Sequence, residues 1–247
     1  MLKLDVGCGK AKKVGFLGVD IVRDSGVDFT LDITREKLPL DDNLVDEVYS
    51  HHFFEHIECP KEPLEELIRV SVHGAAFEIW TPYLKSNDAF VLGHRQFYNE
   101  LIWRHICIEH PHAWLKDVDA TLRLDRFCFV LYPGVEEKLK QQNIPLPFAL
   151  EHMFGIAKDF GAFMTVLKGK DVKDIRYPEP EYYYSFSTEG PFIKLYETQE
   201  QPKQTNKVLS PGGSQRKLYD LGLKSIDVIR KEGLRPFFAK ARRRLKF

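Results

Sequence analysis

Short runs of alternating apolar and polar positions dominate the first eighty residues and predict β-strands separated by polar breaks. After four such runs, apolar residues recur at helical spacing from Pro63, and His73 and Gly74 are predicted to end this helix before a fifth strand. Strands that alternate with helices indicate a mainly parallel, doubly wound sheet. The predicted strands are MLKLDVG, FLGVDIV, VDFTLDI, LVDEVYSHH and AAFEIWTP, and the helix face is Leu64, Leu67, Ile68 and Val72.

The pattern after residue 100 completes a seven-stranded α/β sheet. ATLRLDRFCFVLYPG and DFGAFMTVLKGKD predict strands six and seven. A helical stretch between them is interrupted at Pro145 and Pro147, and its apolar surplus favours a lid or a homodimer surface. The aromatic and acidic segment PEPEYYYSFSTEG favours an edge that docks on the sheet over a nucleic-acid platform, which needs positive charge beside its aromatic rings.

Composition is typical of a globular protein. The chain has 247 residues, of which 43% are hydrophobic, enough for a sizeable core. It contains no apolar run of about 20 residues and no amino-terminal targeting pattern, which predicts a cytoplasmic location. Four cysteines without CxxC pairing favour reduced thiols over a zinc site or a disulfide framework.

Charge is distributed unevenly along the chain. Residues 216–247 carry eleven Lys or Arg against three Asp or Glu, a net of +8, so the preceding residues carry −8. This basic segment is amphipathic, and three roles stay open: packing on the domain, peripheral contact with the inner membrane face, and phosphate contact, with nucleic acid disfavoured. The predicted units are a domain at 1–172, a docked segment at 173–197, a linker at 198–215 and a helical extension at 216–247.

A glycine turn follows the first strand. Gly7 and Gly9 lack a Cβ, so the chain can turn sharply there and a ligand can approach its backbone N–H groups. In a doubly wound sheet, ligands bind beyond the carboxyl ends of the strands. The third glycine of the dinucleotide-binding pattern is missing from GCGKAK, which disfavours NAD.

Four segments resemble, in their order along the chain, the cofactor motifs of class I S-adenosylmethionine-dependent methyltransferases, in particular the small bacterial type 11-like branch. They are LDVGCG, GVDI, LDI and LPLDDNLVDEVYSHHFFEHI. The resemblance covers residues 1–82. It implies a Rossmann-like methyltransferase fold with an antiparallel closing hairpin, and S-adenosyl-L-methionine as the cofactor.

The resemblance also implies roles at matching positions. The first turn lies under the methionine part of the cofactor, a carboxylate after strand two accepts from the ribose, and residues after strand three meet the adenine. Residues that end strand four lie opposite the glycine turn. These cofactor-side residues are Asp5, Gly7, Cys8, Gly9, Asp20, Ile21, Asp32, Ile33, Leu38, Ser50 and His51.

The connection between the first two strands is unusually short. Only KAKKVG separates the glycine turn from the second strand, about one and a half helical turns. We therefore expect the first crossover helix to be very short or replaced by a loop. Positive charge for the cofactor's carboxylate then comes from Lys10, Lys12 or Lys13 in place of a helix dipole.

Methyl transfer chiefly requires positioning, together with a base where the acceptor must lose a proton. The candidates for catalysis are His51, His52 and His94, and those for substrate binding are Tyr83, His94 and Arg95. His52 and His56 have the i, i+4 spacing of metal ligands, but no third ligand is evident, and no metal is expected. Instead, Phe53, Phe54 and Ile57 are predicted to pack on the sheet while Glu55 and His56 hold the loop by hydrogen bonds; His110 and His112 are interpreted as structural.

The predicted function is methyl transfer from S-adenosylmethionine to an oxygen or nitrogen of a small molecule or glycan, including a lipid-linked one. One alternative is an RNA or protein methyltransferase, disfavoured because positive charge is confined to residues 216–247 and the N/D-P-P-[YF] signature is absent. The other is a non-catalytic scaffold that binds S-adenosylmethionine and acts through its basic tail.

Overall fold

A single sheet forms the framework of the domain. The computed structural model describes residues 1–116, 118–169 and 181–185. The strand order is β3-β2-β1-β4-β5-β7-β6-β8. Strands β1 to β5 are parallel, β7 runs antiparallel to β5 and β6, and β8 pairs in parallel with β6. The strands are β1 (Leu2–Val6), β2 (Leu17–Asp20), β3 (Phe29–Thr30), β4 (Val45–His51), β5 (Ser71–Pro82), β6 (Ala120–Leu131), β7 (Ala157–Lys168) and β8 (Glu181–Ser185).

Loops replace the first three crossover helices. Residues 7–16 join β1 to β2 through turns, which confirms the short first crossover, and residues 21–28 and 31–44 also contain no helix. The alternation of strand and helix is therefore sparser than the sequence pattern indicated. The helices are α1 (Lys61–Val70), α2 (Glu100–Arg104), α3 (Pro111–Trp114), α4 (Val135–Gln141) and α5 (Leu146–His152), with a π-helical turn at His105–Glu109 and 3-10 turns at Phe54–His56 and Asp88–Phe90.

Helix α1 ends earlier than predicted. The Ser71 hydroxyl donates to the Leu67 carbonyl at 2.7 Å, and the chain becomes extended at this residue. Val72, His73 and Gly74 therefore belong to β5, where the pairing with β4 shifts register between Val45 and Glu47. Gly74 has a φ of +86°, which a glycine adopts readily. It therefore accommodates the irregularity in β5 and does not end α1.

Most apolar side chains form one core. Leu64, Leu67 and Ile68 of α1 are fully buried in it, as their helical spacing predicted. Phe54 and Ile57 are buried beside them, which confirms the predicted packing of this segment on the sheet. A second cluster contains Phe16, Tyr49, Trp80 and Cys128.

The second half of the domain closes the sheet. β6 and β7 form the expected antiparallel pair. The predicted break between helices occurs at Pro145, the N-cap of α5, with Pro147 in the first turn of that helix. β8 adds an eighth strand at the edge, and it is the part of the 173–197 segment that the structure describes.

The four cysteines are free thiols. Among the described helices, none has the length and apolar character needed to cross a bilayer. The predicted linker at 198–215 and the basic extension at 216–247 lie outside the described residues.

Candidate active site

A cleft of about 320 Å³ lies at the carboxyl ends of β1, β2 and β4. This edge of a parallel sheet is where ligands bind in doubly wound folds. Its lining includes residues from the glycine turn, from the ends of β2 and β3, and from the segment after β4. The lining residues are Val6, Gly7, Val19, Asp20, Ile21, Leu31, Asp32, Ile33, Thr34, His52, Phe53, His56 and Ile57.

Gly7 is required by geometry in two ways. Its φ is +71°, a conformation that side-chain-bearing residues rarely adopt. A Cβ built at Gly7 would lie 2.4 Å from the Cβ of Phe53, so the ring of Phe53 packs directly on the turn. The amide of Gly7 donates to the Val19 carbonyl at 2.8 Å, which ties the turn to β2.

Asp20 lines the cleft at the end of β2. One carboxylate oxygen accepts from the Gly9 amide and the other from the Val22 amide, both at 2.9 Å. Each oxygen has a further lone pair, so the carboxylate can still accept from the two hydroxyls of a ribose. The aspartate predicted for ribose recognition is therefore held in place by the backbone on either side of it.

Asp32 and Ile33 reach the same cleft, beside Ile21. The Asp32 carboxylate accepts from the Thr34 amide at 3.0 Å and from its hydroxyl at 2.6 Å, so it stabilises the turn that presents Ile33. Leu38, which was predicted to flank the adenine, lies in the core instead, because its amide bonds the carboxylate of Glu66 at 2.7 Å. Leu31 and Thr34 line the cleft and were not identified from the sequence.

Three of the predicted cofactor residues lie beneath the cleft and support it. The buried Asp5 carboxylate accepts from the Lys13 amide at 2.6 Å, and burial raises its pKa. The Ser50 hydroxyl donates to the Val6 carbonyl at 2.9 Å and joins β4 to β1. The Cys8 thiol is buried, and burial raises its pKa to about 11.

Two of the three lysines considered as counter-charges have other partners. The Lys12 ammonium pairs with Asp28 at 2.6 Å. The Lys13 ammonium lies 3.3 Å from Glu78 and 3.8 Å from the centre of the Tyr49 ring. Lys10 is exposed next to the glycine turn.

His52 stands where the cleft meets the end of β4. It has a φ of +55°, and its amide donates to the Trp80 carbonyl at 3.0 Å. Its Nε2 lies 3.1 Å from Oδ1 of Asp159, a residue of β7 that the sequence analysis did not identify. Burial lowers the pKa of His52, but the hydrogen bond and charge of Asp159, with the charge of Glu55, outweigh it, and the net pKa is raised.

His51 is beside His52 but has a different environment. Its ring stacks between the rings of Tyr49 and His52, with centroid distances of 6.4 and 4.1 Å. Burial, followed by the charge of His52, lowers the pKa of His51 to about 4. His51 is therefore neutral at pH 7, and it does not belong to the lining of the cleft.

Glu55 and His56 follow in the 3-10 turn after β4. The backbone carbonyl of Glu55 accepts from the amides of Arg95 and Gln96 at 2.7 and 3.1 Å, which joins this turn to the loop that carries His94. The predicted hydrogen bonding of the loop by Glu55 thus comes from its backbone. Burial raises the pKa of the Glu55 carboxyl to about 7 and lowers the pKa of His56.

The substrate-side candidates are distributed differently from the prediction. Tyr83 is 2% exposed and its hydroxyl lies 3.3 Å from both carboxylate oxygens of Glu100, so its ring belongs to the core and not to the cleft. Arg95 is exposed and pairs with Glu58 at 3.1 Å. His94 lies against His56, with 4.8 Å between ring centroids.

The sheet has β7 inserted antiparallel between β5 and β6, which is the Rossmann-like arrangement with an antiparallel closing hairpin that the sequence resemblance implied. The cleft lies at the tips of its parallel strands. No protein-family model and no curated protein matches the chain.

The chain is similar to solved structures of low sequence identity. A SAM-dependent methyltransferase from Archaeoglobus fulgidus is 18% identical with a TM-score of 0.45, over 66% of this chain and 85% of that chain. Another from Aquifex aeolicus is 20% identical with a TM-score of 0.44, over 68% and 82%. A chain from a complex of the Haloferax volcanii Trm112 methyltransferase activator is 15% identical with a TM-score of 0.42, over 68% and 83%.

Proposed function

We propose that the protein transfers a methyl group from S-adenosylmethionine to an oxygen or nitrogen of a small molecule or glycan. The observation that carries this proposal is the convergence of the Gly7 turn, Asp20 and Asp32 on one cleft that also contains His52. Two carboxylates at neighbouring strand ends beside a glycine turn suit the ribose and adenine ends of a nucleoside, which offer hydroxyl and amino donors.

The residues of this chain would divide the work as follows. Asp20 holds the ribose, and Asp32 with the amide of Ile33 meets the adenine. S-adenosylmethionine supplies an activated methyl group, so the protein's main task is to position the acceptor. His52 is the best-placed base: it lines the cleft, and Asp159 orients its ring and favours its protonated form, as required of a group that takes a proton from the acceptor.

An acceptor with an apolar part is favoured by the surface around His94. Phe90, Val91, Leu92 and Phe97 are exposed on the segment that carries His94, and the Phe90 ring lies 6.1 Å from the ring of Phe154. Leu92 is 98% exposed. An apolar surface of this kind suits a lipid-linked glycan or a hydrophobic small molecule better than a free sugar.

Calorimetry with S-adenosylmethionine on the full chain tests cofactor recognition. Asp20→Asn should weaken binding about 5- to 150-fold, since losing a charged hydrogen-bond acceptor costs about 1 to 3 kcal/mol. Asp28→Asn is the matched control, because Asp28 also accepts from a backbone amide, that of Gly18 at 2.7 Å, but does not line the cleft. Equal affinities for the two variants would contradict the assignment.

A methyl-release screen over hydroxyl and amine acceptors separates the enzyme from the scaffold alternative. Turnover that depends on His52 supports methyl transfer. Tight cofactor binding with no turnover on any acceptor favours a scaffold.

A further inference from the structure

Three metal-ligating side chains meet beside the cleft. Glu55 and His56 are adjacent in the 3-10 turn after β4, and His94 reaches them from the loop after Phe90. Their potential ligand atoms all lie within 4.8 Å of one another. The two hydrogen bonds from the 95–96 amides to the Glu55 carbonyl hold the backbones of the turn and the loop together, so the three residues stay close to one another.

The Glu55 carboxylate lacks the partners that a buried charge needs. Glu55 is 1% exposed, and no other described residue donates a hydrogen bond to either of its carboxylate oxygens. The nearest basic group is Nδ1 of His52, at 4.0 Å. Burying a carboxylate in this way costs several kcal/mol unless something pairs with it. A buried carboxylate without a donor from another residue, next to two imidazoles, is suited to bind a cation.

The two histidines are oriented as metal ligands usually are. Nδ1 of His94 lies 3.1 Å from the Ala89 carbonyl, and Nδ1 of His56 lies 3.5 Å from the Gly93 carbonyl. A backbone carbonyl at Nδ1 favours the tautomer with the proton on that nitrogen, which leaves the lone pair on Nε2. Metal-binding histidines are commonly held by such a second hydrogen bond.

We propose that Glu55, His56 and His94 bind a divalent transition-metal ion of the zinc type. Two imidazoles and one carboxylate form a donor set that suits Zn²⁺, Co²⁺ or Fe²⁺ better than Mg²⁺ or Ca²⁺, which prefer oxygen ligands. Ligands about 2 Å from a shared ion stand about 3.3 Å apart, so the side chains need to close by at most about 1.5 Å. The exposed ring of His56 can supply this movement by rotation.

The site would adjoin the proposed reaction, since His56 also lines the cleft. A metal there could polarise an acceptor hydroxyl and make its proton easier to remove. This inference goes beyond the proposed function, because binding of the ion requires neither S-adenosylmethionine nor an acceptor. Each of the two proposals can therefore be rejected without affecting the other.

A second cluster of the same residue types provides an internal control. His105, Glu109 and His110 also bring their ligand atoms within 4.8 Å of one another. There, Glu109 is exposed and lies 3.6 Å from Nδ1 of His105. This cluster contains no buried, unpaired carboxylate, and so it does not share the feature that points to a cation.

Titration of the chelator-treated full chain with Zn²⁺ alone, by calorimetry, tests the site, and Co²⁺ absorption reports the coordination geometry. We expect one ion per chain, with affinity lowered more than about 100-fold in His94→Ala and in Glu55→Gln, beyond the range for losing an outer partner. His110→Ala should bind as the unmodified protein does, and excess Mg²⁺ should not compete.

Stability of the metal-free protein gives an independent measurement. Glu55→Gln should be at least as stable as the unmodified protein, because it removes a buried unpaired charge, but it should lose the rise in Tm that Zn²⁺ causes. Undiminished Zn²⁺ binding in both Glu55→Gln and His94→Ala would overturn the proposal, and so would loss of binding in His110→Ala. If Glu55→Gln fails to fold, His94→Ala decides the question by the same titration.

Discussion

The two sides of the cleft satisfy their polar groups in opposite ways. On the proposed cofactor side, Asp20 accepts from the Gly9 and Val22 amides and Asp32 accepts from the Thr34 amide. On the proposed acceptor side, His52 has a left-handed backbone conformation, and the buried Glu55 beside it has a carboxylate without hydrogen-bond donors from other described residues. Both sides are built from loops at strand ends, so fold position alone does not explain the contrast.

Under the proposed function, this difference separates the residues that bind the cofactor from those that take part in the chemistry. A binding surface gains when its polar groups are already fixed by local bonds, because less conformational freedom is lost when the ligand binds. Strain and perturbed protonation concentrate where a group must exchange a proton or bind an ion. Substitutions in the glycine turn or at Asp20 and Asp32 are therefore expected to disturb folding or affinity. Substitutions around His52 and Glu55 are expected to change protonation.

The largest effect is expected at the glycine turn. Gly7→Ala introduces a Cβ that would lie 2.4 Å from the Cβ of Phe53, at a φ of +71°. The unfavourable conformation and the overpacking together should lower the free energy of unfolding by about 2 to 5 kcal/mol. Urea unfolding of the full chain measures this change.

Gly9→Ala is the matched control for that experiment. Gly9 also has a positive φ, of +50°, but a Cβ there would meet nothing within 4 Å. Its cost should be only that of the conformation, about 1 to 2 kcal/mol. If the free energy of unfolding falls equally in the two variants, the contact with Phe53 contributes nothing, and the glycine turn is less rigid than we infer.

A smaller effect is expected at Asp159. Asp159→Asn removes the negative charge that raises the pKa of His52, while the amide oxygen of Asn can still accept from the ring and burial, which lowers the pKa, remains. The pKa of His52 should therefore fall, because a neutral acceptor stabilises the imidazolium less than a carboxylate does. NMR titration of the His52 ring measures this directly.

Asp125→Asn serves as its control. Asp125 also accepts from a side chain, the hydroxyl of Thr165 at 2.6 Å, but it does not contact His52. An unchanged pKa of His52 in Asp159→Asn would contradict the role of Asp159 in orienting the proposed base. The proposed pairing of His52 with Asp159 in catalysis would then be wrong.

Patterns local in sequence predicted most of the framework. Residues close together in the chain were enough to predict the strands, the short first crossover and the break at Pro145. They also predicted that Gly7, Asp20 and Asp32 converge on one cleft. The end of α1 was misplaced because His73-Gly74 is also compatible with a bulge, and the deciding contact is the Ser71 hydroxyl on the Leu67 carbonyl.

Contacts between distant segments could not be predicted in the same way. Asp159 reaches His52 across 107 positions, through the pairing of β7 with β5. His94 joins Glu55 and His56 through a loop whose path depends on two backbone hydrogen bonds. Tyr83 was assigned to the substrate side because it follows the end of strand five, whereas its ring is buried against Phe129 and Phe160 in the core.

The smallest effect concerns the pH dependence of stability at His51. The folded state keeps His51 neutral down to a pKa of about 4, whereas an unfolded chain protonates it near 6.5. The unfolded state therefore binds the extra proton between these values, and the contribution of His51 to stability is lost as pH falls through this window. From pH 7 to pH 5.5 the loss should be about 1 kcal/mol.

His51→Phe keeps an aromatic ring for the stack and cannot titrate, so its stability relative to the unmodified protein should rise by that amount over the same interval. Parallel pH profiles for the two proteins would mean that the His51 ring is solvated, and the contrast between the two sides of the cleft would then rest on His52 and Glu55 alone.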